Sequence, residues 1–394
     1  MDFTSTVLRL LIVSTLVVGA LLLSVALIRS NSAGAELGGA VQDNAPRPIR
    51  NQGRTDDTPI IGCAIALHYT ERIDLYFQAI NDMVDQLGFD SLVVVTPAFQ
   101  ENARSHEVTL TLQPGFSPHR DQLLGVLRHA RIRGMTTMLM PIVLLSQPGE
   151  GEWRGKIQPE DWDRWWLSYQ GVIDYFAEIA EAVDVQILCV GSELLTTEAH
   201  DDRWRTLIQR VRSRYHGLLT YSTNWDHFHV PRFWSHLDLV GTNGYFDLTT
   251  QAKDREQPSF EELRSRWEGI RDQILAHAAA HDRPLLLTEI GYPSLPWGLK
   301  DPWNYVNDKL AKSTPNVQAK GYNAFLSAWD DLLTGPPRGE GPGRSCFAGV
   351  YFYRWDPYQH GAEDDTGYGF RGKSTINLLR AFMARRNQRL LRTR

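Results

Sequence analysis

A chain of 394 residues, 42% hydrophobic and 22% charged, has the make-up of a globular protein and excludes collagen-like, coiled-coil and intrinsically disordered classes. Its 41 Lys and Arg against 46 Asp and Glu leave a net charge of -5, so it lacks the basic footprint that phosphate binding demands and nucleic acid is not expected as a partner. Twelve Trp beside 14 Tyr and 15 Phe mean either a very aromatic core or a core plus an aromatic-lined binding surface.

From Leu10 to Ile28 the chain is uncharged and dominated by Leu, Val, Ala and Ile, with Arg9 and Arg29 on either side. That approaches the roughly 20 apolar residues that cross about 30 Å of hydrocarbon as a helix, so residues 1–29 are expected to be a membrane anchor or a signal segment. The small-residue run Ala33-Gly34-Ala35 keeps cleavage open. Either way the remainder is delivered to or across a membrane, anchored outside the cytoplasm or secreted. The charge bias, Arg9 before the segment against Arg29, Arg47, Arg50 and Arg54 after it, points to the opposite orientation. It is discounted because three of those four lie about 20 residues away or more, at the limit over which such charges count.

Residues 30–58 are rich in Asn, Gly, Ala, Pro, Asp and Arg and read as a flexible linker. A single large α/β domain is expected over residues 59–394. Cys63, Cys189 and Cys346 are odd in number and sit in apolar runs, the pattern of buried thiols and not of a disulfide framework.

Eight short apolar runs follow: Ile60–Leu67, Ser91–Pro97, Thr136–Leu145, Val185–Val190, Leu218–Thr223, Leu237–Asn243, Pro284–Thr288 and Phe347–Tyr353. They are continuous in Val, Ile, Leu and Phe, as in parallel strands buried on both faces. Between them lie stretches of helical period, for example Trp162, Trp165, Trp166, Tyr169, Ile173 and Phe176, or Leu263, Trp267, Ile270 and Ile274. Pro258-Ser259 followed by Glu261 and Glu262 signals a helix start. Val108, Leu110 and Leu112 alternate as in a small hairpin, and Gly335–Gly343 reads as a loop. Eight strand and helix units predict a (β/α)8 TIM barrel; a doubly wound sheet uses fewer strands and a glycine-rich first turn, absent from His68-Tyr69-Thr70-Glu71.

Such a barrel carries its active site at the strand C-termini. The fourth run leads into Ser192-Glu193, the seventh into Glu289-Ile290-Gly291-Tyr292. A carboxylate beside buried apolar packing is costly unless bonded or used. One such Glu is as readily a helix cap or an Arg partner, but two on strands that face each other across the barrel are what glycoside hydrolysis needs, one protonated to donate and one ionised to attack or to activate water.

The segments Leu188–Leu194, Leu287–Tyr292 and Tyr351–Asp356, with the helix Trp162–Tyr169, resemble glycoside hydrolase family 113. This family belongs to the clan of retaining (β/α)8 glycosidases, and the resemblance spans most of residues 60–380. It implies Glu193 as acid/base on strand four, Glu289 as nucleophile on strand seven, and β-1,4-mannan as substrate. It further implies that Tyr245 hydrogen-bonds the nucleophile and that Trp355 forms the platform under the cleaved sugar. Two departures stand out: Ser192 precedes the acid/base where most of the clan has Asn, and Met140–Leu144 brings no polar group for sugar hydroxyls.

The other strand ends are read physically. Asn224 and Trp225 pair an amide with a flat aromatic, which suits a sugar ring with its hydroxyl rim and apolar face; Asn243 and Tyr292 complete the expected substrate-binding set, with Trp153, Trp297 and Trp303 as looser candidates for outer subsites. His227 and His229 are expected as exposed loop histidines and Glu363-Asp364-Asp365 as a solvated turn, so no metal and no cofactor is expected. Ser192 lies outside a Gly-x-Ser-x-Gly elbow. The sequence thus predicts a retaining glycoside hydrolase acting on a β-linked polysaccharide. Its rivals are a non-catalytic carbohydrate-binding or envelope-assembly barrel, and a glucanase or transglycosylase on the same barrel.

Overall fold

The computed structural model describes residues 59–110, 115–249, 258–304, 311–334, 347–358 and 365–392. The apolar segment Leu10–Ile28, the linker, Leu112, Cys346, Glu363 and Asp364 lie outside the described residues. No helix of the described residues is long and apolar enough to cross a membrane.

Among the described residues nine strands form one sheet: β1 Ile60–Ala66, β2 Ser91–Gln100, β3 Val108–Thr109, β4 Thr136–Leu145, β5 Ile187–Ser192, β6 Leu218–Thr223, β7 Val240–Asn243, β8 Leu285–Ile290 and β9 Phe347–Phe352. All but β3 pair in parallel, and β1 pairs with both β2 and β9, which closes an eight-stranded barrel. The predicted hairpin is realised in part: β3 lies antiparallel to the end of β2, Phe99 opposite Thr109. Closure explains the continuous apolar runs, because every barrel strand faces the lumen on one side and helices on the other.

The period of two is visible in the packing. Ala64, Val93, Val95, Met138, Met140 and Tyr351 fill the lumen, whereas Ile61, Cys63, Leu92, Val94, Leu139 and Val350 join the core under the helices. Tyr351 fits because its neighbour is glycine: a Cβ on Gly62 would stand 2.7 Å from that ring and 2.6 Å from the Ser91 carbonyl oxygen. Cys63 and Cys189 are buried free thiols.

The helices are α1 Ile73–Asp82, α2 Arg120–Ile132, α3 Trp162–Ala182, α4 Asp201–Arg212, α5 Phe260–Ala280, α6 Pro315–Ala328, α7 Asp330–Thr334 and α8 Ser374–Arg392. Helix α5 opens with the predicted signal: Ser259 caps it, with Ser259 and Glu262 bonding reciprocally as a capping box. One expected crossover helix is missing, for between β6 and β7 there is only the 3-10 turn Phe233–His236, whose Trp234 is nevertheless fully buried.

Aromatic packing behind β5 is dense. Trp165 stacks on Tyr169 with ring centres 4.9 Å apart, and Trp204 stacks on Phe233 at 5.1 Å and meets Tyr221 edge-on at 5.0 Å. These rings back the strand that presents Glu193, so they belong to the scaffold and supply large apolar burial with oriented ring contacts.

Candidate active site

Glu193 follows β5 directly and Glu289 lies inside β8, each almost fully buried at 7% and 8% exposure. Strict alternation would send Glu289 outward with Leu285 and Leu287, which both lie in the core under the helices. A register shift between Leu287 and Ile290 breaks the alternation, the device by which a bulge re-aims a side chain beside a site. Glu289 then accepts a hydrogen bond from the Tyr245 hydroxyl at 2.6 Å. Glu193 is turned by its own backbone, whose φ of +53° is left-handed, a conformation non-glycine residues adopt only where surroundings hold it.

Each carboxylate has charged and polar neighbours. Glu193 accepts from Arg154 Nη2 and from Asn243 Nδ2. Asn243 also donates to Asn224 at 3.3 Å. Burial, then the charge of Glu193, push Glu289 above the ordinary carboxylate range, while the Tyr245 hydroxyl and Arg154 pull it down.

The sequence-derived residues divide. Asn224 and Trp225 are half-buried in the loop after β6, with Trp225 edge-on to Phe246 at 5.7 Å. Asn243 and Tyr245 touch the two carboxylates, as above. Trp355 and Tyr292 require correction. Trp355 is fully buried, beside Phe370 and under Arg371 at 5.5 Å, because β9 ends at Phe352 and the Trp355 N–H then bonds to Ala64 O at 2.9 Å. It offers no face to a sugar. Tyr292 is also fully buried and its hydroxyl accepts from Trp267 Nε1 at 2.8 Å, which makes it part of the core behind β8. Trp153 and Trp297 are half-buried, and Trp303 is exposed.

Four residues at the barrel mouth or beside it escaped the sequence reading. Tyr353 is half-buried and near Tyr245, ring centres 6.4 Å apart; it shares the inward parity of Tyr351, and that parity was its signal. Arg154, in the 3-10 turn Arg154–Lys156, pairs with Glu193. His68, just after β1, keeps a buried Nε2 with no hydrogen-bond partner among the described residues; burial and then the charge of Arg354 pull it down to about 4. Glu198, in the turn Leu195–Ala199, is buried and bonded to Tyr221 and His227, and burial pushes it up to about 7. His227 is thus no free loop histidine, since its Nδ1 lies 3.2 Å from Glu198 Oε2. Asp365 is no solvated turn residue either, for it pairs with Lys373 at 3.1 Å and both side chains are buried. Among the described residues no group of three or more His, Cys, Asp or Glu is arranged to hold a metal ion.

Comparison with solved structures reproduces this architecture. A β-1,4-mannanase of glycoside hydrolase family 113 superposes with a TM-score of 0.69 at 23% identity, over 83% of this chain and 99% of that one. The family 113 β-mannanase from Alicyclobacillus acidocaldarius, in complex with ManMIm, gives 0.69 at 23% over 84% and 98%. The endo-β-1,4-mannanase from Thermotoga petrophila gives 0.55 at 10% over 86% and 78%. At these identities the likeness is one of fold. No curated protein sequence matches the chain. The family profile of Glycoside Hydrolase Family 113 matches residues 75–372, so the chain belongs to glycoside hydrolase family 113.

Proposed function

We propose that this glycoside hydrolase cleaves a β-1,4-linked, mannan-type polysaccharide with retention of configuration, using Glu193 as acid/base and Glu289 as nucleophile. The observation that carries the reading is the pair of nearly buried carboxyl groups at the mouth of the barrel, with Glu289 bonded to Tyr245 and within range of the charge of Glu193. Mannan is favoured by the family match and by the β-mannanases among the similar structures.

In the first displacement Glu193 gives its proton to the glycosidic oxygen while Glu289 attacks the anomeric carbon. The bond to the leaving sugar breaks and an ester to Glu289 forms. Glu193, now a carboxylate, takes a proton from water, which attacks the same carbon and breaks the ester, so that Glu193 ends protonated and Glu289 ionised. The cycle starts with a proton on Glu193. Arg154 bonds Glu193 Oε2 in the structure, so the sugar is proposed to displace it there as it enters. Asn224 and Trp225 are the residues proposed to hold that sugar by its hydroxyl rim and apolar face.

The residue 10–28 segment is proposed to hold the enzyme at a membrane or to be cleaved on export, with residues 30–58 as linker and the barrel outside the cytoplasm; its apolar length supports this.

Incubating the full chain with mannans, glucans and xylans tests the substrate class. β-1,4-Manno-oligosaccharides are the expected products, and Glu289→Ala should abolish their release while the barrel stays folded. Release from glucan or xylan alone would move the substrate class, and no release from any polymer would favour a binding barrel.

A further inference from the structure

Glu198 has no part in the two displacements, yet its side chain is wholly shut off from solvent. A buried carboxylate persists only where hydrogen bonds offset its lost hydration, and the bonds made here lead to Glu193. Glu198 Oε1 accepts from the Tyr221 hydroxyl at 2.9 Å. With its proton thus committed, the same hydroxyl accepts from the Leu194 N–H at 3.0 Å. That N–H belongs to the peptide bond joining Glu193 to Leu194, and Glu193 is the residue held at a left-handed φ. The next peptide is fixed as well, for Leu194 O accepts from Thr197 Oγ1 at 2.6 Å and Thr197 O accepts from Trp204 Nε1 at 3.0 Å.

The chain of bonds also runs outward. Glu198 Oε2 pairs with His227 Nδ1, and the His227 N–H donates to Asn224 O at 2.9 Å, so the carboxylate ties the Asn224–Trp225 loop to the backbone that aims Glu193. We propose that Glu198, acting through Tyr221, is a positioning residue for the acid/base Glu193, an inference that rests on the assignment of Glu193 above. Loss of the Tyr221 bond would free the peptide after Glu193 and let its carboxyl drift from the glycosidic oxygen it must protonate. A misplacement of roughly 1 Å can lower a rate by as much as about 100-fold.

The prediction separates acid assistance from general damage. A mannoside with a dinitrophenolate leaving group departs without a proton, whereas a manno-oligosaccharide needs one, and kcat/KM reports the steps up to that departure. The full chain and its Glu198→Ala, Tyr221→Phe and Glu198→Gln variants are assayed on both substrates, and the ratio of the two kcat/KM values is read. This ratio is independent of how much of each variant is folded. Glu198→Ala and Tyr221→Phe should lose about tenfold or more on the oligosaccharide and keep the rate on the activated mannoside. Glu198→Gln retains an acceptor for Tyr221 and should recover most of the loss. An unchanged ratio in Glu198→Ala and Tyr221→Phe would overturn the positioning role while leaving the proposed activity standing. A wild-type chain that cleaves neither substrate would overturn both.

Discussion

Glu289 sits where its charge is disfavoured, and Tyr245 is the neighbour that makes the charge tolerable. The Tyr245 hydroxyl, its oxygen 2.6 Å from Oε2, favours the ionised form that the proposed attack needs, against burial and the charge of Glu193. Removing it raises the proton affinity of the carboxyl, so the acid limb of kcat/KM, which reports ionisation in the free enzyme, moves to higher pH. In Tyr245→Phe, kcat/KM on the acid side is expected to fall about tenfold, the equivalent of roughly 1.4 kcal/mol of hydrogen bonding to a charged group. The deficit should shrink as pH rises and the carboxyl ionises anyway. A uniform loss at every pH, measured over the full profile, would mean that the hydroxyl acts on something other than the proton affinity of Glu289.

At the scale of the element, the ends of strands decide what a side chain does. Trp355 lies past the end of β9 at Phe352 and turns into the core, while Trp225, in the loop after β6, stays half-buried. Trp355→Ala should therefore cost about 3–5 kcal/mol of stability, seen as a lower Tm, whereas Trp225→Ala should raise KM with little change in Tm. The opposite pattern would return Trp355 to the role of sugar platform. The same ends mark the limit of what could be read from the chain. Thr136–Leu145 was legible to the residue because parallel strands buried on both faces are written as mainly apolar runs. The run ending at Thr288 stopped short of Glu289, since a bulge leaves no trace in periodicity. Arg154 and Glu198 gave no local signal: one reaches Glu193 across 39 residues of sequence, and the other is defined by Tyr221, 23 residues away. The twelve Trp likewise divide by strand and helix geometry, with Trp165, Trp204, Trp234, Trp267, Trp329 and Trp355 fully buried.

Across the whole barrel, stability and chemistry occupy opposite ends. Below, Arg386 of α8 is buried and bonds Asp90 at 2.9 Å and Pro59 O at 2.7 Å, which ties the C-terminal helix to the start of β1. Above, the packed lumen ends in a polar layer where Ser222 and Thr288 are hydrogen-bonded at 2.6 Å, and the carboxyl pair stands beyond it. Such a closed floor excludes water beneath the reacting groups and strengthens every charge interaction there. Retention in this setting requires a covalent glycosyl ester on Glu289. The direct measurement is mass spectrometry of the protein treated with a mannosyl fluoride carrying a second fluorine beside the anomeric carbon, which slows hydrolysis of the ester. One sugar added to the peptide containing Glu289, together with loss of activity, is the predicted result. Continued turnover of substrate with no adduct, or an adduct on a peptide lacking Glu289, would contradict it.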